Sequence, residues 1–213
     1  MTRTDTRTTA RRFARFTGLA AAVASIAMMV APASGMAAAP VKFGAELNPT
    51  VQPSNSLPGL TCMGTEAPGP ACSMVLNEAY GRPDGGEFAP KTGTIKKIRL
   101  IAGGPGSFKL QLAKVKRGSD EAKFVAGGPR IDYQGQTEAN FDSGSYKVET
   151  FNVNLPVRKG QQLALRGNIT SMIRCSSGGD NTLIYTPPLI SGGSFRPATS
   201  DDGCWILMEA VIR

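Results

Sequence analysis

The segment FNVNLPVRKGQQLALR, residues 151–166, decides the fold. Phe151, Val153, Leu155 and Val157 alternate with Asn152, Asn154 and Pro156. An extended chain therefore places the apolar side chains on one face and the others on the opposite face. No stretch of ten or more residues shows the combined i, i+3, i+4, i+7 apolar pattern with caps that a helix would need. Pro156 has no N–H to give to a ladder and suits the edge or the end of a strand. Arg158-Lys159-Gly160 turns the chain. Leu163, Leu165 and Ile169 carry the next strand, with Gln162 and Arg166 facing out. Tyr146 and Val148 come before on the opposite parity, which predicts a bulge near Glu149-Thr150.

The same period of two continues upstream. Ile98 and Leu100 alternate with Lys97 and Arg99, Gly103-Gly104-Pro105-Gly106 turns the chain, and Phe108, Leu110 and Leu112 alternate with Lys109 and Gln111. The pair reads as a hairpin with one solvated, basic face. Phe124-Val125 and Ile131–Tyr133 read as two weaker strands around a Gly-Gly-Pro break, and Leu183–Tyr185 as a short one stopped by Pro187-Pro188. CWILMEAVI, Cys204–Ile212, is apolar on both parities and reads as one central strand buried on both faces. Any helix is confined to a brief turn around Met74–Tyr80. Residues 39–213 hold 23 Gly and 14 Pro, spread as punctuation rather than gathered into a linker. Seven to nine short strands with such turns predict an all-β, antiparallel β-sandwich, jelly-roll-like because the loops are long and irregular.

Residues 1–38 read as a signal peptide and 39–213 as a single β-sandwich domain. Arg3, Arg7, Arg11, Arg12 and Arg15 form a basic start, TGLAAAVASIAMMV (Thr17–Val30) an apolar run, and APASGMAAAP a small-residue cleavage region. Cleavage is expected between Ala33 and Ala39, since proline at position 40 fits poorly just after a scissile bond. The run is short of the roughly 20 residues that span a bilayer, so the expected product is secreted, with no membrane contact after cleavage. Arg11-Arg12-Phe13 leaves the twin-arginine route open beside the general one. Five of the 24 basic residues and one of the 16 acidic ones lie in residues 1–38, leaving 19 against 15, a net charge of about +4. That balance is compatible with anionic polymers. Basic runs interleaved with aromatics are missing, so no nucleic acid is expected as a partner.

Cys62, Cys72, Cys175 and Cys204 are an even set in an exported chain and predict two disulfides. Three connectivities exist. Cys62–Cys72 with Cys175–Cys204 is favoured, because the first closes a Gly/Pro-rich loop with little to bury and the second ties a loop to the last strand. The spacings contain no C-x-x-C, which argues against a thiolate metal site.

The chain has no histidine. Ser-His-Asp triads, Cys-His dyads and His-ligated zinc are therefore excluded. Ser176, Ser177, Ser191 and Ser194 read as turn residues. Glycoside hydrolysis needs only two carboxylates, and Asp132, Glu149, Asp180, Asp201, Asp202 and Glu209 are candidates without a spacing that selects a pair. Glu209 stands out as an acid inside an apolar strand. If buried it should pair with an arginine or titrate high, and if not it is a solvent-facing strand end. Calcium could use oxygens of Asp201-Asp202-Gly203 and Asp180-Asn181, although the order does not match an EF-hand. No other cofactor is expected. For sugar stacking the four tyrosines read mainly as strand residues and Trp205 as core. A Cys175–Cys204 bridge would bring loops 174–181 and 191–203 to one end of the sandwich and gather Arg174, Asp180, Asn181, Arg196, Asp201 and Asp202 into one polar rim, the expected ligand-binding site.

The basic-apolar start, TC…AC, TIKKIRL…FKLQLAKV, FNVNLPVRKGQQLALR, RCSSGGDNTLIY and DGCWILMEAV together resemble a group of uncharacterised secreted proteins of high-GC Gram-positive bacteria. The middle segment is also similar to what jelly-roll and carbohydrate-module-like domains place across two strands. The resemblance implies a secreted β-sandwich and carries over no activity and no functional residue. The leading expectation is a non-catalytic protein that binds extracellular or cell-wall polysaccharide. The alternatives are a His-independent glycan-processing enzyme with two carboxylates and a structural envelope protein that self-associates through a strand edge.

Overall fold

The computed structural model describes residues 39–48, 71–82, 85–136, 146–167, 172–175 and 179–213. The expected signal peptide, Cys62, Ile169, Ser176 and Ser177 lie outside the described residues. Ala38–Arg213 form one compact unit. Its strands are β1 (Val41–Gly44), β2 (Cys72–Leu76), β3 (Gly93–Leu100), β4 (Gly106–Val115), β5 (Ala122–Tyr133), β6 (Glu149–Val157), β7 (Gln162–Gly167), β8 (Ile173–Cys175), β9 (Thr182–Tyr185), β10 (Ser200–Asp202), β11 (Cys204–Ile206) and β12 (Met208–Ile212). They make a four-stranded sheet in the order β1-β12-β3-β6, a six-stranded sheet in the order β10-β9-β2-β7-β4-β5, and a small β11-β8 ribbon.

The pairing is that of a rolled-up hairpin. β1 pairs with β12, β2 with β7, β3 with β6 and β4 with β5, all antiparallel. Rolling adds β12 to β3 and β7 to β4. Eight strands therefore form a jelly roll. β8, β9, β10 and β11 are inserted between its last two strands, which is why the total exceeds the seven to nine expected. Met208, Ala210 and Ile212 of one sheet meet Leu110, Leu163 and Leu165 of the other in a shared core. Burying each such leucine or isoleucine contributes roughly 1.5–3 kcal/mol.

β6 is an edge strand, as Pro156 requires, and its burial alternates along its length. The bulge lies further along than expected. Ile95 pairs with Leu155 and Lys97 with Asn152, so Val153 and Asn154 share the single residue Lys96, whose Nζ donates to Asn154 Oδ1 at 2.6 Å. The expected hairpin between Ile98 and Leu112 does not form. β3 and β4 belong to different sheets, and Gly103–Gly106 carries the chain from one layer to the other. The two weak strands around Gly127-Gly128-Pro129 are one, β5. Extra residues at Val125 and at Gly128-Pro129 are absorbed as register shifts against β4, which an edge strand tolerates. Met74–Tyr80 holds no helix. Cys72, Met74 and Leu76 face the core while Val75 packs in a second cluster on the outer face, so apolar residues on both parities blur the period. Cys204–Ile212 likewise divides at Leu207 into β11 and β12, because β12 turns to β1 and β3 while β11 turns to β8.

Candidate functional site

The turn that follows β2 builds one wall of a cleft. Asn77 and Glu78 donate their backbone N–H groups to the Asn181 carbonyl at 3.0 and 3.1 Å, Asn77 Nδ2 donates to the Asp180 carbonyl at 2.8 Å, and Arg82 N closes the turn on the Ala79 carbonyl at 3.0 Å. The Tyr80 carbonyl accepts from Glu46 N at 2.7 Å. These bonds fix the main chain on both sides of the Tyr80 ring. β11 supplies the other wall. Trp205 lies directly opposite Arg174 in the β11–β8 ribbon. Its ring meets Tyr80 edge-on, with centroids 5.5 Å apart and planes at 70°, and the Arg174 guanidinium sits 4.9 Å from the centroid of Tyr80. Both rings are only partly buried. Trp205 is thus not the core residue that its strand suggested.

The cleft encloses about 530 Å³ and is lined by Asn77, Glu78, Tyr80, Arg82, Glu87 and Trp205 among others. Arg82 is held from behind. Its Nη2 donates to Glu209 Oε2 at 2.8 Å, Arg99 Nη1 donates to Glu209 Oε1, and Lys42 Nζ lies 3.5 Å from the same oxygen. Glu209 is 1% exposed. The buried acid accordingly takes arginine partners, one of the two outcomes burial allows. Arg82 Nε is buried without an acceptor among the described residues. An edge-on aromatic pair flanked by amide, carboxylate and guanidinium groups offers apolar ring surface and directional hydrogen bonds together.

The expected rim is only partly assembled. Asp201 and Asp202 of β10 pair with Leu183 and Thr182 of β9. Asn181, buried at the start of that strand, donates its Nδ2 to the Gly203 carbonyl at 2.9 Å, with exposed Asp180 beside it. These four residues do share one end of the sandwich. Arg174 stands over the Tyr80 ring, beside the cleft. Arg196 lies elsewhere, bridged by two main-chain bonds to Ala122, stacked 5.5 Å from the Tyr185 centroid and donating to the Pro187 carbonyl. The segment 186–199 folds back over the outer face of the six-stranded sheet, which removes Arg196 from the rim. Burial raises the Asp202 pKa first, the Asp201 charge raises it further, and the Cys204 backbone N–H opposes both.

The acids named from sequence have other uses. Asp132 accepts from Arg130 Nε at 2.9 Å, and Glu149 caps the turn at Gln134 N and Gly135 N. Among the described residues no three His, Cys, Asp or Glu side chains converge as a metal-ligand group, so the calcium expectation gains no ligand set. Neither Cys72 nor Cys204 is a free thiol, and Cys204 lies directly opposite Cys175 in the ribbon. Glu78, Arg82 and Glu87 are functional candidates that the sequence reading missed, and Tyr80, weighed there for sugar stacking, reads from sequence mainly as a strand residue. Compared with protein-family models, curated proteins and solved structures, the chain matches none.

Proposed function

We propose that this chain is an exported, non-catalytic β-sandwich protein that binds extracellular or cell-wall polysaccharide in the cleft between Tyr80 and Trp205. The cleft itself carries the reading: two partly exposed rings stand beside Asn77, Glu78, Arg82 and Glu87. A pyranose presents apolar C–H faces to rings and hydroxyls to amides and charges, so this mixture suits it. Export is supported by the basic-apolar-small order of residues 1–38. It is supported too by the opposed Cys175 and Cys204, since directly opposed residues in an antiparallel pair sit about 4.5–5.5 Å apart, inside the range a disulfide spans. Cys62 is then left to bond Cys72.

Glu78 and Glu87 both line the cleft, and this favours two-carboxylate glycan hydrolysis as the second reading. Self-association through a sheet edge has weaker support, because β5 carries bulges and Pro129 and β6 carries Pro156.

The chain contains a single tryptophan, so its fluorescence reports on this cleft alone. Titration of the full chain with a panel of soluble wall and plant glycans should shift or quench that emission for at least one member. Tyr80→Ala should abolish the response. No spectral change with any glycan would refute the binding reading, and release of reducing ends that Glu78→Gln stops would replace it with the hydrolytic one.

A further inference from the structure

The outer face of the six-stranded sheet is half covered. Val75, Ala113, Ala164, Leu183 and Tyr185 form a cluster under Leu189, and Leu189 N donates to Ser73 Oγ at 3.0 Å. The open half begins at the next row. There Arg166 of β7 lies opposite Lys109 of β4, and Lys109 lies opposite Arg130 of β5. Phe108, Leu110, Ile131 and Leu165 fill the core, so strand alternation sends all three cations to the outside together. All three are exposed. With strands about 4.8 Å apart, three positive charges are rooted within roughly 10 Å along a line that crosses the strands. Arg130 has Asp132 at 2.9 Å and donates to Ser107 Oγ at 2.7 Å. Neither Lys109 nor Arg166 makes an ion pair among the described residues. The row borders a hollow of about 670 Å³ whose lining includes the small residues Ala71, Gly106, Ser107 and Gly167.

Like charges directly opposed across strands repel, so this row costs the fold something and is relieved by an anionic partner. We propose that the hollow is a second binding site, separate from the Tyr80–Trp205 cleft, for a linear anionic polysaccharide laid across β7, β4 and β5. The cations form a line rather than converging on a point, which suits charges repeated along a polymer. Phe108 and Tyr133, the aromatic residues of the hollow, are 3% and 2% exposed. They offer no ring face for base stacking, which single-stranded nucleic acids use. Lys42 and Lys97, which flank Val211 on the other sheet, form a comparison set, with Lys42 3.5 Å from Glu209 Oε1.

The test is binding of the full chain to polygalacturonate at low ionic strength, with dextran and a short single-stranded oligonucleotide as comparisons. Binding to polygalacturonate and not to dextran is expected, and it should fade as salt screens the charges. The Lys109→Gln/Arg166→Gln double variant should lose about tenfold in affinity, while Lys42→Gln/Lys97→Gln binds as the parent does. An unchanged denaturation midpoint or a higher one shows that the double variant is folded. Absence of polygalacturonate binding, an equal loss in Lys42→Gln/Lys97→Gln, or equally tight oligonucleotide binding through Lys109 and Arg166 would each overturn the proposal.

Discussion

Arg82 Nη2 donates to Glu209 Oε2 at 2.8 Å, across 127 residues of sequence. The contact ties the cleft turn after β2 to the central strand of the opposite sheet. Glu209 also holds Arg99 and Lys42. Glu209→Gln would leave two arginines facing a neutral amide. Their side chains are 27% and 26% exposed and can recover some water, so the cost falls below that of stranding fully buried charges. A loss of about 2–3 kcal/mol is expected. Lys42, 45% exposed, should cost less than about 0.5 kcal/mol when changed to Gln. Urea unfolding of the two variants checks the contrast, and equal losses would mean that Glu209 is not the organising charge.

Gly44 ends β1 at φ +93°, and a Cβ there would run into the Met208 carbonyl oxygen. Gly44 N also donates to the Gly86 carbonyl at 2.6 Å, so the backbone has little freedom to move away. Gly44→Ala should destabilise by more than about 2 kcal/mol, backbone strain adding to the clash. Gly160 has φ +80° with open space around it. Gly160→Ala meets the conformational penalty alone, about 1 kcal/mol. Similar denaturation midpoints for the two variants would show that the Met208 carbonyl yields.

The parts of this fold that are legible in the sequence are those with one wet face. β6 alternates because its outer side chains meet water, and its proline marks it as an edge. β2 and Cys204–Ile212 are covered on both sides, by the core and by packed turns, so neither shows a period. Nothing in CWILMEAVI marks the break at Leu207, and without it Trp205 reads as core. Tyr80 is hidden for a related reason: MVLNEAY joins the end of a buried strand to a turn held by Asn181. A sheet's pairing partners are also not written in alternation alone, which is why β3 and β4 resemble a hairpin yet belong to different layers. Of the residues named for the rim, Asn181, Asp201 and Asp202 come together because they adjoin β9–β10. Arg196 is placed apart from them because it follows the segment that packs against Ala122 and Tyr185.

Asp202 gives a pH signature. In the unfolded chain it titrates near the ordinary value of 3.8, and folding raises it, chiefly through burial. A raised acid disfavours the folded state once ionised, so its contribution is best below 3.8 and is lost as pH rises through the folded value. Asp202→Asn removes that loss and can still accept the Cys204 backbone N–H. The stability of the variant relative to the parent should therefore climb between pH 3 and neutrality. Melting temperatures across that range test this, and a difference that stays flat or falls would contradict the burial of the carboxylate.

A Cys175–Cys204 bridge, as proposed above, has a measurable consequence. Closing a loop of about 30 residues stabilises by about 3.6 kcal/mol, mainly by restricting the unfolded chain. Cys204→Ser should lower stability by roughly that amount under oxidising conditions, and the difference between variant and parent should vanish in strong reductant, where any second bridge is open in both. Peptide mapping of the oxidised chain that links Cys204 to Cys62 or Cys72 would break the assignment.

The cationic row makes opposite demands on stability and on binding. Lys109 faces Arg166 on one side and Arg130 on the other, and only Arg130 has a carboxylate beside it. Lys109→Gln removes two like-charge oppositions while keeping a long polar side chain at an exposed position. It should raise stability by about 0.2–1 kcal/mol at low salt, and the gain should shrink as added salt screens the row. Arg130→Gln should gain less, since it also surrenders Asp132 and Ser107. Urea midpoints of both variants at low and at high salt separate these effects. If Lys109→Gln is destabilising and its effect does not depend on salt, the lysine packs rather than repels, and the row is part of the fold's framework.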